Sequence, residues 1–216
     1  VPTGAVPGRR SGRTDPPLPS QGRPTTGAPT KPGRPSEAAL AAAVVRRAKV
    51  PDVIGPDLRV LFCGINPGRW SGAVGHHFAH PGNRFWKALH LAGFTDEVVS
   101  PREERSLLAC GVGVTNLVAR TTAAAADLNP EELRRGMAVL ERKVRRFRPR
   151  VVAVLGLGAY RTAFGHPGAG VGCQPERLGP AALWVLPNPS GLQAHYQLDS
   201  LVEQFRRLRT AVDGRP

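Results

Sequence analysis

Residues 59–86, RVLFCGINPGRWSGAVGHHFAHPGNRFW, decide the fold. Val60–Cys63 is a continuous apolar run with no alternation, the mark of a short strand buried on both faces. It empties into Gly64-Ile65-Asn66-Pro67-Gly68, a turn of residue types that build sites rather than cores. Asn66 can both donate and accept a hydrogen bond, Pro67 stiffens the turn, and Gly68 lets another molecule come close to the backbone. Ligands of open α/β sheets bind outside the carboxyl ends of the strands, so function is expected at this turn.

A second stretch repeats the design. Ala182–Leu186, ALWVL, is another apolar run, and it ends in Pro187-Asn188-Pro189-Ser190-Gly191-Leu192. If both runs are parallel strands of one sheet, the Asn66 and Asn188 turns share one crevice.

Outward from these two strands, the pattern alternates. Ser36 caps a predicted helix reaching Lys49, with Glu37 at its positive end. Residues 69–81 read as a Gly- and His-rich loop without regular structure, and 83–92 as a helix carrying Phe85, Trp86 and Leu89. Pro101 with Glu103 and Glu104 opens a short helix to Ala109, and 111–118, GVGVTNLV, is a strand. Asn129 caps an amphipathic helix over 131–147, with Leu133, Met137, Leu140, Val144 and Phe147 on one face. Val151–Leu155 is a buried strand leading through Gly156-Leu157-Gly158 into a short helix ending near Phe164. That turn lacks the third glycine of a dinucleotide fingerprint, since Arg161 stands in its place. Residues 165–180 read as a variable loop, and 198–212 as a final helix with Leu201, Val202, Phe205, Leu208 and Val212 inward. This order predicts an α/β three-layer sandwich with a mostly parallel central sheet of about four strands.

Composition divides the 216 residues in two. Residues 1–36 hold nine of the 22 prolines with scattered Arg and almost nothing apolar, a predicted disordered tail of charge +5; residues 37–216 form the folded domain. The whole chain carries a formal charge of +14, which favours a polyanionic partner. The charge alone is a weak argument, because 26 of the 30 basic residues are Arg in an Ala-, Gly- and Pro-rich chain, a bias that genome composition also produces. No run of about 18 apolar residues occurs, so no membrane partner and a soluble, cytoplasmic location are expected. Cys63, Cys110 and Cys173 lack the spacing of a metal site or disulfide framework and read as buried, reduced thiols. His76, His77 and His80 have no neighbouring carboxylate or Cys in sequence, so they are assigned to loop contacts, with no metal and no cofactor expected.

GINPG at 64–68, FAHPGNRFW at 78–86 and NPSGL at 188–192, in this order, resemble the mismatch-specific uracil DNA glycosylases, the bacterial branch of the thymine DNA glycosylase family. The similarity spans about 150 residues from Arg59 to the final helix. It implies the uracil-DNA glycosylase fold and a monofunctional enzyme that flips uracil from a G·U mismatch in double-stranded DNA and leaves an abasic site. Thymine and ethenocytosine are implied as further bases. By that resemblance Asn66 positions the attacking water, Gly64, Ile65, Phe78 and Asn188 bind the base, and Ser71 tunes activity. Leu192 is the wedge that fills the vacated stack, with Gly191 and Gln193 meeting the opposite guanine. A bacterial, nucleoid-associated monomer that hands its product to abasic-site repair enzymes is implied as well. The pattern is broken at Ala194, where the bacterial relatives carry Arg, and at the His76–His77 pair.

The residues agree with such chemistry. No carboxylate occurs between Asp57 and Asp96, so the paired acids of ordinary glycoside hydrolysis are missing from the first motif. Catalysis would then rest on water positioning and on amides beyond Gly64 that stabilise the departing base, giving a slow enzyme selective for easily unpaired mismatches. The rival readings are a DNA-binding module of the same fold without turnover and a nucleotide-binding enzyme using Gly156–Gly158.

Overall fold

The computed structural model describes residues 34–46, 48–191 and 197–214. Residues 1–33 of the tail expected over 1–36, and Leu192 and Gln193 of the expected wedge, lie outside the described residues. The described domain belongs to one compact unit, Pro35–Pro216.

Helix α1 (Glu37–Val45) is capped by Ser36, whose Oγ accepts from Ala39 N–H. Five strands follow in the chain: β1 (Val60–Gly64), β2 (Val112–Asn116), β3 (Val151–Leu155), β4 (Gly172–Leu178) and β5 (Ala181–Leu186). Their order across the sheet is β2-β1-β3-β5-β4. The first four neighbours in that row pair parallel, and β4 joins the β5 edge antiparallel. Parallel neighbours need crossovers over the faces of the sheet, which explains why every residue of β1, β2 and β3 is buried.

Alternate residues of each strand feed two cores. Phe62, Val114, Ala153 and Leu186 face α3 (Phe85–Leu91) and α6 (Leu198–Asp213). There Phe62 stacks on Phe205 and meets Phe85 edge-on, with ring centroids 5.5 and 5.4 Å apart. Leu61, Val152, Val154 and Leu183 face α4 (Pro130–Phe147) and α5 (Leu157–Phe164), among Leu133, Leu140, Val144 and Tyr160. The three layers expected from the alternating pattern are present.

Several expectations are corrected. The sheet has five strands, because β4 occupies part of the stretch expected to be a loop. Pro175 removes a backbone donor, and the register shifts between Cys173 and Arg177, both compatible with an edge strand. Residues 69–81 are not wholly irregular: Arg69–Val74 forms α2, a six-residue helix closed by Gly75 in the left-handed region at φ 78°. The helix expected over 101–109 is a 3-10 helix, Pro101–Cys110. Of the three thiols only Cys63 is buried; Cys110 is half-buried and Cys173 exposed. Burial pushes the Cys63 thiol up to about 12, so it stays protonated within the core.

Candidate active site

β1 and β5 run parallel on either side of β3, so the turns carrying Asn66 and Asn188 leave the same edge of the sheet. The chain after β2 runs along the first of these turns. Leu117 N–H donates to Gly64 O, Val118 N–H to Ile65 O, and Thr122 N–H to Pro67 O. This ladder holds Gly64–Pro67 from one side over its whole length.

The same segment fixes Asn66. Its Nδ2 lies 2.7 Å from Thr122 Oγ1, 3.2 Å from Arg120 O and 3.1 Å from Pro67 O. The two carbonyls can only accept, and the Thr122 hydroxyl gives its proton to Ala124 O at 2.6 Å. All three neighbours therefore demand the NH2 end of the carboxamide. The Asn66 Oδ1 is turned away from them, and no described residue donates to it. Arg120 is in turn held by Glu132, at 2.5 and 2.8 Å.

Phe78 sits on strained backbone, at φ 51°. A bulky residue there costs on the order of 1–3 kcal/mol and needs support from its surroundings. That support is present on both sides. Buried Ser71 accepts from Ala79 N–H through Oγ, buried Glu104 accepts from His77 N–H, and Trp86 Nε1 donates to His77 O. The Phe78 ring rests on Phe85, with centroids 4.2 Å apart, and is itself only half-buried.

Gly64 explains the space beside this ring. A Cβ there would lie 3.2 Å from Phe78 Cζ and 2.6 Å from Asn116 Oδ1. The aromatic edge and a carboxamide oxygen thus converge over a position where only glycine leaves room. Asn116 ends β2, paired in register with Gly64, and its Nδ2 lies 3.3 Å from His77 Nδ1.

The third motif is joined to the second through backbone. Arg84 N–H donates to Pro189 O, and Arg84 Nη2 donates to Ser190 O at 2.8 Å. A Cβ on Gly191 would lie 2.6 Å from Gly82 O, so the two loops touch main chain to main chain. Asn188 closes its own turn, its Oδ1 accepting from Ser190 N–H.

Of the residues expected from sequence, Gly64 lies against Phe78, Ser71 braces the backbone beside Phe78, and Asn66 follows Gly64 in the same turn with Ile65 between them. Asn188 stands on the neighbouring turn with its oxygen engaged locally. Asn116, Thr122, His77 and Glu104 were not singled out as site residues. Asn116 had a signal, a polar side chain at the carboxyl end of a buried strand; Thr122 and Glu104 come from segments whose approach only the fold reveals. The Glu104 oxygens are each engaged, Oε2 by His77 N–H and Oε1 by His76 Nδ1. Gly156 caps α5 at φ 135° and donates its N–H to Leu186 O, a structural turn from β3 into α5. No group of three or more metal-ligating side chains occurs among the described residues, and no described helix is long and apolar enough to cross a membrane.

The mostly parallel sheet, with a half-buried aromatic and two oriented carboxamides gathered at the carboxyl ends of its strands, defines an α/β protein whose candidate site lies at that edge. Residues 51–209 match the model of the uracil DNA glycosylase superfamily, and the chain belongs to that superfamily. A solution NMR structure from Methanosarcina acetivorans, provisionally assigned as a uracil DNA glycosylase, shares the fold at TM-score 0.51 and 18% identity. The match covers 76% of this chain and 98% of that one. Membership implies uracil DNA glycosylase activity and DNA as the partner.

Proposed function

We propose that this protein is a monofunctional glycosylase that excises uracil from G·U mismatches in double-stranded DNA. A flipped uracil stacks on Phe78, and its edge is read by Asn116. The main-chain N–H groups of Ile65 and Asn66 stabilise charge on the departing base. Water held by Asn66 Oδ1 adds to C1′ as the C1′–N1 bond breaks; the bonding pair leaves with the base, and the water's proton passes to solvent or to the base anion. Thymine opposite guanine, which carries the same imide edge, is a slower substrate of the same pocket.

The orientation of the Asn66 carboxamide carries this reading. With its NH2 committed to Thr122, Arg120 and Pro67, the side chain offers only an acceptor, which can orient a water but cannot remove its proton. Such a site lowers the barrier through positioning and leaving-group stabilisation, and it favours bases whose unpairing is cheap. The charge of +14 is consistent with a DNA partner. Ser71 tunes the site indirectly, by bracing the Phe78 backbone. Asn188 holds the turn that leads to Gly191.

Alkali-revealed strand cleavage on labelled duplexes tests this. Cleavage at G·U exceeding that at A·U, and lost in Asn66→Ala, is expected. No cleavage at stoichiometric protein with duplex binding intact would leave a DNA-binding module of this fold.

A further inference from the structure

His77 is 2% exposed, yet all of its polar atoms are engaged. Its Nε2 lies 3.0 Å from Pro51 O, a carbonyl that can only accept, so the proton of the neutral ring is on Nε2. Nδ1 is consequently bare, and the group facing it at 3.3 Å is the Asn116 carboxamide nitrogen. A bare ring nitrogen accepts from an NH2 and repels an oxygen. The ring therefore decides which end of Asn116 faces it and which end faces Gly64 and Phe78.

We infer that His77 is a positioning residue for base selection: by accepting from Asn116 Nδ2 at Nδ1, it keeps Asn116 Oδ1 toward the recess, where it takes the N–H of an imide edge. This rests on the glycosylase reading above and deepens it. Uracil and thymine carry an N3–H between two carbonyls and satisfy that oxygen, while the second Nδ2 proton is free for the adjacent carbonyl. Cytosine presents a bare N3, which would oppose oxygen to a lone pair. The oxygen's position is independent of any ligand, being 2.6 Å from where a Gly64 Cβ would stand.

Protonation of His77 places a second N–H at Nδ1, donor against donor, and the Asn116 amide must turn over. The recess then offers NH2 where it offered oxygen. The surroundings set where this occurs. From the 3-10 helix, Glu104 binds His77 N–H and His76 Nδ1; behind β2, Asp52 and Lys143 pair at 2.6 Å around Thr115; α3 contributes Trp86 to His77 O. Burial outweighs the attraction of Glu104 and holds the imidazole below its ordinary 6.5. The neutral ring is thus the form present at neutral pH.

Two substitutions separate positioning from packing. His77→Phe preserves an aromatic ring but has no acceptor; His77→Asn leaves a cavity but places a carboxamide oxygen near the site of Nδ1. Single-turnover uracil excision from a G·U duplex is expected to fall about tenfold in His77→Phe and to recover in His77→Asn, a lost neutral hydrogen bond being worth roughly that factor. The native rate is expected to decline on the acid side of the ordinary histidine value, where the lowered His77 ring takes its proton, and this limb is absent in His77→Asn. Binding to a duplex carrying an abasic analogue, which has no base edge, stays unchanged in both variants. In the folded native protein, nitrogen NMR of labelled histidine should show His77 protonated at Nε2 alone at neutral pH.

His77→Phe excising uracil as well as the native protein, His77→Asn the poorer of the two, or an Nδ1–H ring at neutral pH would each overturn the positioning role while leaving the glycosylase standing. No excision by the native protein would overturn the glycosylase reading, and the base-selecting role with it.

Discussion

Thr122 Oγ1 accepts from Asn66 Nδ2 at 2.7 Å while donating its own proton to Ala124 O at 2.6 Å, so the hydroxyl is polarised in one direction only. The pair fixes the proposed water-holding side chain by means of a residue 56 positions along the chain. Thr122→Val keeps the shape of the buried side chain and removes that polarity. We expect single-turnover excision from a G·U duplex to fall about 3- to 10-fold, the value of one neutral hydrogen bond, with duplex affinity unchanged. Equal rates in Thr122→Val and native protein would show that the Asn66 orientation does not depend on Thr122.

This relationship also marks the limit of what sequence reveals. The apolar runs of β1, β3 and β5 are legible because parallel strands buried on both faces leave no alternation to misread, and α4 and α6 because each shows a helical stripe of apolar residues. β4 is hidden by Pro175 and two flanking glycines, and α2 by being six residues long with Gly72 inside it. Gly64, Asn66 and Phe78 stand in contiguous motifs and are found there. Thr122, Asn116 and Glu104 act through the register of β2 against β1 and through the approach of the 3-10 helix, and register between distant segments leaves no trace in local composition.

Phe78 and Phe85 pack ring to ring, yet their roles should separate cleanly. Phe85 is fully buried, so Phe85→Ala is expected to cost about 3–5 kcal/mol of stability. Phe78 is half-buried on strained backbone, so Phe78→Ala should cost far less stability and lose instead the stacking surface, roughly 1–3 kcal/mol per base. Urea unfolding beside single-turnover excision distinguishes the two: excision down about 10- to 100-fold in a still-stable Phe78→Ala is the expected result. A large stability loss without a matching loss of excision would return Phe78 to the core.

Gly64→Ala adds one methyl at the convergence of Phe78 and Asn116. The Cβ would stand 2.6 Å from Asn116 Oδ1, so the carboxamide must rotate off its His77 contact or the strand must shift. Overpacking of this kind costs about 1–3 kcal/mol, and the loss of a recess for the base should reduce excision by more than the tenfold expected from His77→Phe. A crystal structure of the variant with Asn116 undisturbed and excision unimpaired would place the base elsewhere.

Stability should follow pH through His77. Its folded form is neutral, held there by burial, whereas the unfolded chain binds a proton near 6.5. Above that value both states are neutral and the full stability is present. As pH falls below 6.5 the unfolded state takes up a proton that the folded state refuses, so stability drops, by at most about 1.4 kcal/mol per pH unit, until the lowered folded value is reached. Urea midpoints at pH 7.5, 6.5 and 5.5 should therefore decline more steeply for the native protein than for His77→Asn, which has no ring to titrate. All other groups are common to the two proteins, so the difference between the two curves isolates His77. Parallel curves would mean that the buried ring binds its proton equally well folded and unfolded, so that burial does not hold it neutral.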